Sequence, residues 1–305
     1  MAGRITDPWP ENLPERVGLI NDAFESIYIP TPSHQEVHRR CDILRYSNRN
    51  RRGKPMTALR LSQLSSAGKT ACIMAYISKT LEDHARQTGE FNPYLILYVS
   101  LLSVTTPKAL CQTICRLLGD ENWEVGRAED LIHRIADFVS RAGVEMIIID
   151  EIQELKGARK DRRDVSNLLK GILNTGIAPL VLVGDETSKD MFDANIQMGN
   201  RAGAVLELKP FDPADRERLG EFKGFLADLE REMIRLRLVR EPGALTQAKG
   251  FHALLKWSQG HLGRVSRITA QALQHATLRH AAAVEQEDLD YAIQNFAIPN
   301  NYRKA

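Results

Sequence analysis

The stretch Gln63-Leu64-Ser65-Ser66-Ala67-Gly68-Lys69-Thr70-Ala71 sets small residues, a lysine and a hydroxyl in the order that phosphate chemistry needs. Where such a stretch opens a helix, successive backbone N–H groups converge on phosphate oxygens, the lysine reaches the β and γ phosphates, and the hydroxyl holds Mg²⁺. Ser65, Ser66, Ala67, Gly68, Lys69, Thr70 and Ala71 are therefore the expected ATP-binding positions, with Thr70 also a ligand for Mg²⁺. Gln63 departs from the G-x-x-x-x-G-K-[ST] spacing, whose first glycine eases the tight exit from a strand. Further along, Ile147-Ile148-Ile149-Asp150-Glu151 ends an apolar run on two adjacent carboxylates. In that setting Asp150 orients Mg²⁺ through its waters and Glu151 takes the proton from an attacking water, the division of labour that nucleotide hydrolysis requires. Each half has an ordinary reading, as a strand–turn–helix and as an acidic helix cap; the two in this order favour a nucleotide site.

Elements that could hold these residues follow from the hydrophobic pattern. Short, continuously apolar runs lie near 56–64, at YLILYVSLL from Tyr94, at VEMIIID from Val144, at APLVLVG from Ala178 and at AVLELKPF from Ala204. Helical periodicity falls between them at 69–84, 108–118, 129–141 and 162–173. Strands apolar on both faces and separated by helices predict a parallel sheet covered on both sides, an α/β core over 36–212. Residues 213–305 switch to helical patterns alone, at 215–236, 244–258, 264–280 and 287–296, and predict an all-helical second domain. Residues 1–35 contain Pro8, Pro10, Pro14, Pro30 and Pro32 and are expected to form an extended arm with one short helix, a candidate partner-binding segment.

Composition narrows the class. At 305 residues the chain has room for about two domains of roughly 150 residues each. With 41 Lys and Arg against 39 Asp and Glu, the net charge of +2 neither demands nor excludes nucleic acid, so any such partner must be argued from where charge sits. The first residues lack an apolar leader and no run approaches the roughly 18 apolar residues of a membrane span, which predicts a cytoplasmic protein. Cys41, Cys72, Cys111 and Cys115 match neither a disulfide framework nor a zinc ribbon, and together with His34 and His38 they are read as structural side chains.

The motifs taken together are more specific than any one of them. IIIDEIQEL, then LLKGILNTGIAPLVLVG, then IQMGNRA leading into VLELKPF, resembles the TniB family of transposon AAA+ ATPases, relatives of TnsC and MuB, and the likeness runs over about 28–296. The resemblance implies an AAA+ P-loop core, a parallel sheet flanked by helices, with a C-terminal all-helical lid domain. It implies that Arg201 is an arginine finger reaching the γ-phosphate in a neighbouring subunit. It also places a polar sensor at the end of the fourth strand, where this chain has Asp185 with Thr187 beyond it, and a second sensor at Arg264 or Arg267. Asp185 departs from the family's Asn or Thr, and its carboxylate would repel phosphate.

Two clusters concentrate positive charge: Arg39, Arg40, Arg45, Arg49, Arg51, Arg52 and Lys54, and then Lys156, Arg159, Lys160, Arg162 and Arg163 after the acid pair. The second, expected in a loop lining the inner face of an assembly, would repeat along a duplex backbone, so these five are the expected DNA-binding residues. Aromatic residues make up 6% of the chain and do not interleave with the basic ones, which predicts backbone contacts to double-stranded DNA with little sequence specificity. The expected function is an ATP-dependent, DNA-binding regulator that oligomerises as a ring or filament on target DNA, recruits or activates a transposase, and is reset by hydrolysis. Two alternatives stay open: a non-hydrolysing ATP-binding adaptor, and a AAA+ replication initiator or loader, although the residues after 296 are too few for the winged-helix domain such initiators commonly carry.

Overall fold

Residues 146–150 and 180–184 are buried at every position, which is what strands covered on both faces require. The protein is described from a computed structural model covering residues 9–62, 68–102, 106–155, 159–185, 188 and 205–302, with side chains left undescribed at 155 and 159–163. In chain order the elements are α1 (Leu13–Glu25), α2 (Pro32–Asn48), β1 (Ala58–Ser62), α3 (Lys69–Thr88), β2 (Ile96–Ser100), α4 (Pro107–Leu117) and α5 (Ala128–Arg141). Then come β3 (Met146–Asp150), a 3₁₀ turn (Ile152–Leu155), α6 (Arg159–Asn174), β4 (Leu180–Gly184) and β5 (Val205–Leu206). The chain closes with α7 (Arg216–Arg235), α8 (Ala248–Ser258), α9 (Leu262–Leu278) and α10 (Gln286–Ala292), which runs on into a π turn at Ile293–Ala297.

All pairings in the sheet are parallel, in the order β2-β3-β4-β1-β5. Consecutive strands are therefore not always neighbours: β1 lies between β4 and β5, so the chain leaves the middle of the sheet, crosses to the far edge and works back. In register, Ser62 pairs with Gly184 and Ser100 with Asp150, so the C-terminal ends of β1, β2, β3 and β4 lie along one edge. Open α/β sheets bind ligands at that edge.

Two compact units share the chain. One takes Pro32–Ser65 and Lys69–Leu208, the other residues up to Thr31, Ser66–Gly68 and Lys209–Ala305. In the sheet-bearing unit the core is built from strand residues such as Val99, Ile147, Ile149, Leu180 and Leu182, covered by Leu110 and Ile114 of α4, Leu131 and Ile135 of α5, and Leu169 and Ile172 of α6. Thr106 caps α4 by accepting from the Ala109 N–H at 3.1 Å, with Pro107 at the first helical position, where its missing donor does no harm. The helical unit packs Phe222, Leu226 and Met233 of α7 with Leu254 of α8, Ile268 and Leu273 of α9 and Leu289 of α10.

The N-terminal segment, expected as an extended arm with one short helix, carries a 13-residue helix. Asn12 caps it, accepting from the Glu15 N–H at 3.1 Å, and Ile20 and Phe24 join the core of the helical unit. A second helix, α2, occupies a stretch that reads in the sequence only as a cluster of charge. Among the described residues no helix is long and apolar enough to cross a membrane.

Candidate nucleotide-binding site

The acid pair sits where β3 ends. Asp150 is 2% exposed, and a polar group so buried needs hydrogen-bond partners. It has three. Its Oδ1 accepts from the backbone N–H of Glu151 at 2.8 Å, and its Oδ2 accepts from the Thr70 hydroxyl at 3.2 Å and from the Tyr98 hydroxyl at 2.7 Å. Thr70 comes from the first turn of α3 and Tyr98 from β2, so three elements bring oxygen atoms to one place. Of the sequence-predicted metal ligands, Thr70 and Asp150 thus meet directly. Hard oxygen donors of this kind suit Mg²⁺, which is usually held by one or two protein groups with water and substrate phosphate completing its shell.

Tyr98 is not legible in the sequence as a site residue. Its partner lies across a strand pairing, Tyr98 opposite Ile148, and only that register brings the ring to the carboxylate. Burial, together with the hydrogen bond to Asp150, pushes its phenol well above the usual range, so it remains a donor at any physiological pH.

Gly68 has φ of 85°, a backbone conformation that L side chains rarely adopt, and Lys69 and Thr70 open α3 immediately after it. Successive N–H groups at the start of a helix carry the positive end of its dipole, so this terminus suits phosphate. Gln63, Ser65, Ser66 and Ala67 lie outside the described residues, as do Lys156, Thr187 and Arg201; Ala71 follows Thr70 in α3. The residues that are described fit a nucleotide with Mg²⁺: Gly68, Lys69, Thr70 and Ala71 on the phosphate side, Thr70 and Asp150 on the metal side.

Glu151 adopts φ of 60°, a left-handed conformation that is uncommon for a residue with a side chain and costs roughly 1–2 kcal/mol. Gln153, from the turn that follows, donates a hydrogen bond from Nε2 to Glu151 Oε2. The same amide accepts from the Asp185 backbone N–H at 3.0 Å, so the residue in the sensor position is tied into the site through its main chain.

Arg264, a second-sensor candidate, is engaged within the helical unit. It donates to Gln259 Oε1 and, at 2.8 Å, to the Tyr302 carbonyl, and its guanidinium lies 5.2 Å from the centre of the Tyr302 ring. Arg267 lies on the same helix, α9.

The basic clusters differ in how their charge is used. The second cluster is expected from the sequence in a loop leading into a helix at 162; Arg159 and Lys160 instead already lie, with Arg162 and Arg163, in the first turns of α6, because the chain resumes helix soon after the 3₁₀ turn. Val165, Leu169, Ile172 and Leu173 anchor the rest of that helix in the core. The earlier cluster is largely consumed internally. Arg39 and Arg40 both bond Glu36, whose carboxyl they hold at about 2. Arg45 and Arg49 face Glu145, Arg51 donates to the Pro55 carbonyl, and Arg52 donates to the carbonyls of Ile177 and Val144. The four cysteines are buried and unpaired by disulfides; burial raises the thiols of Cys111 and Cys115 to about 12 and about 11, so neither is a ready thiolate.

Comparison with known proteins agrees with this arrangement. The ORC1 protein of Aeropyrum pernix, solved in complex with DNA, is 18% identical and superposes with a TM-score of 0.64 over 90% of this chain and 69% of that one. The ORC2 protein of Aeropyrum pernix, solved as ADPNP-ADP complexes, gives 16% identity and a TM-score of 0.63 over 90% and 70%. Domain III of the Thermotoga maritima replication initiation protein DnaA gives 13% and 0.55 over 90% and 96%. Identities this low establish the fold and no more. No curated protein matches the chain by sequence. The family model described as Bacterial TniB protein matches residues 26–211, a span that holds the whole sheet and every strand end around Asp150. The expected relationship is therefore borne out: the chain belongs to the bacterial TniB family and is built on the AAA+ fold.

Proposed function

We propose that this protein is an ATP-driven switch that assembles on double-stranded DNA and there recruits or activates a transposase, with hydrolysis resetting it. The observation that carries the nucleotide half is the meeting of the Thr70 hydroxyl and the Asp150 carboxylate at 3.2 Å, beside a Glu151 set just beyond the strand. Lys69 would neutralise the β and γ phosphates, Thr70 and Asp150 would hold Mg²⁺, and Glu151 would accept the proton of the attacking water. Bound Mg²⁺ supplies charge neutralisation for the phosphoryl oxygens. Arg201 is proposed as the finger that stabilises charge in a neighbour's site, which makes a ring or filament of this chain a condition for turnover.

DNA binding is assigned to Lys156, Arg159, Lys160, Arg162 and Arg163. Cations at the start of a helix oppose its dipole, at roughly 0.3–1 kcal/mol each when exposed, and a phosphate backbone relieves that conflict. Neutralising all five is expected to weaken binding about equally on unrelated duplexes. It should also flatten the dependence of log affinity on log salt by roughly 0.9 for each phosphate that the variant no longer neutralises. Titration of labelled duplexes at several salt concentrations checks this, and a parent-like slope would move the site elsewhere. Phosphate release measured with and without duplex separates a hydrolysing switch, which turns over faster on DNA, from an adaptor that only binds ATP.

A further inference from the structure

The turn after β3 holds a side chain whose two ends meet different elements. Gln153 Nε2 donates to Glu151 Oε2, while Gln153 Oε1 accepts from the Asp185 backbone N–H at 3.0 Å, just past the end of β4. The Asp185 carbonyl in turn accepts from the Ser62 hydroxyl at 2.9 Å and from the Ser188 hydroxyl at 2.6 Å. Ser62 is the last residue of β1, the strand that feeds the phosphate loop. Hydrogen bonds therefore run from the Glu151 carboxylate, through one amide, to the ends of β4 and β1.

Chemistry and space both restrict what can stand at 153. An amide donates and accepts at once; a carboxylate of the same shape only accepts, and an aliphatic chain does neither. Room for that amide is left by Gly184. A Cβ there would come within 3.0 Å of Gln153 Oε1 and 2.6 Å of Ile152 Cγ2, approaches that would force the turn away from β4. At Glu151 itself the backbone is in the left-handed region, so the aim of its carboxylate depends on what surrounds it.

We propose that Gln153 is a positioning residue for ATP hydrolysis: it orients the Glu151 carboxylate and couples that orientation to the end of β4. The proposal rests on the reading of Glu151 as general base. The donated hydrogen bond fixes one oxygen of the Glu151 carboxylate, and with it the direction in which the other faces. A shift of the end of β4 moves the Asp185 N–H, hence the amide, hence the base, while Gln153 itself bonds no group assigned to hold phosphate. Turnover can in this way respond to the fourth strand.

The test uses the full chain with ATP, Mg²⁺ and duplex DNA. Gln153→Glu is nearly isosteric and keeps the acceptor for the Asp185 N–H, but it cannot donate when ionised and sets a like charge against Glu151. Its kcat is expected to fall about tenfold or more, the scale of a misaimed catalytic group, with ATP affinity by direct titration unchanged. The loss should fall on kcat with KM for ATP little changed, because no group assigned to hold phosphate is altered. Gln153→Ala should lose at least as much kcat, again with ATP affinity unchanged. A Gln153→Glu variant with the parent's kcat overturns the proposal. So does a loss confined to Gln153→Ala that appears as a lowered Tm with kcat and ATP affinity falling together, since that is the mark of a merely structural residue. Glu151→Gln, measured alongside, keeps the two readings apart: parent-like turnover there overturns the base assignment itself, whereas an inactive Glu151→Gln with parent-like Gln153→Glu overturns only the positioning role.

Discussion

Glu151→Gln is expected to bind ATP and Mg²⁺ as the parent does and to lose hydrolysis by roughly 10²–10⁴-fold, the range that a general base contributes. The amide fills the same space, leaves Thr70, Tyr98 and Asp150 in contact, and removes only the capacity to take a proton. Because assembly is proposed to depend on bound ATP and release on its hydrolysis, the same variant should leave complexes that persist on DNA. Single-turnover phosphate release and dissociation from immobilised duplex are the two measurements. Parent-like turnover would remove Glu151 from the reaction.

Lys69→Ala has the second large effect, and it strikes earlier. The lysine sits at the first position of α3, after a glycine in the left-handed conformation, where the helix terminus already favours anions. Hydrogen bonds to charged groups contribute about 1.5–3 kcal/mol, so removing the ammonium should weaken ATP binding by roughly 10- to 150-fold and abolish ATP-dependent assembly at ordinary nucleotide concentrations. A binding titration with unchanged affinity would defeat the assignment. Failure of this variant to bind, set beside normal binding by Glu151→Gln, would separate the holding of the nucleotide from its hydrolysis.

Much of the fold could be read from the chain because each buried strand announces itself. VEMIIID and APLVLVG are continuous apolar runs, and β3 and β4 are buried at all their positions. The fifth strand reads longer in the sequence than it is. AVLELKPF yields only Val205–Leu206, since β5 is an edge strand paired to β1 alone, with Val205 exposed, and Pro210 supplies no backbone donor to continue it. Helix α2 escaped because its buried stripe is not apolar. His34, Val37, Cys41, Leu44, Arg45 and Asn48 recur at helical spacing, but three of the six are polar or charged, and the hydrophobic period is dimmed where the burial period is clear.

The candidate site divides in the same way. Lys69, Thr70, Asp150 and Glu151 are local words of the sequence, each motif holding its own spacing. Tyr98 and Gln153 are not: one reaches Asp150 through strand register, the other reaches Asp185 because Gly184 leaves room for it. Positive charge counted along the chain does not tell how it is used, and Arg39, Arg45 and Arg52 spend theirs on Glu36, on Glu145 and on backbone carbonyls.

The central claim is that ATP makes this chain assemble on DNA, and electron microscopy of the protein with duplex DNA, with and without a slowly hydrolysed ATP analogue, tests it most directly. The account predicts ordered rings or filaments only when both duplex and analogue are present. Ordered assemblies on DNA without nucleotide, or none when both are supplied, would contradict it.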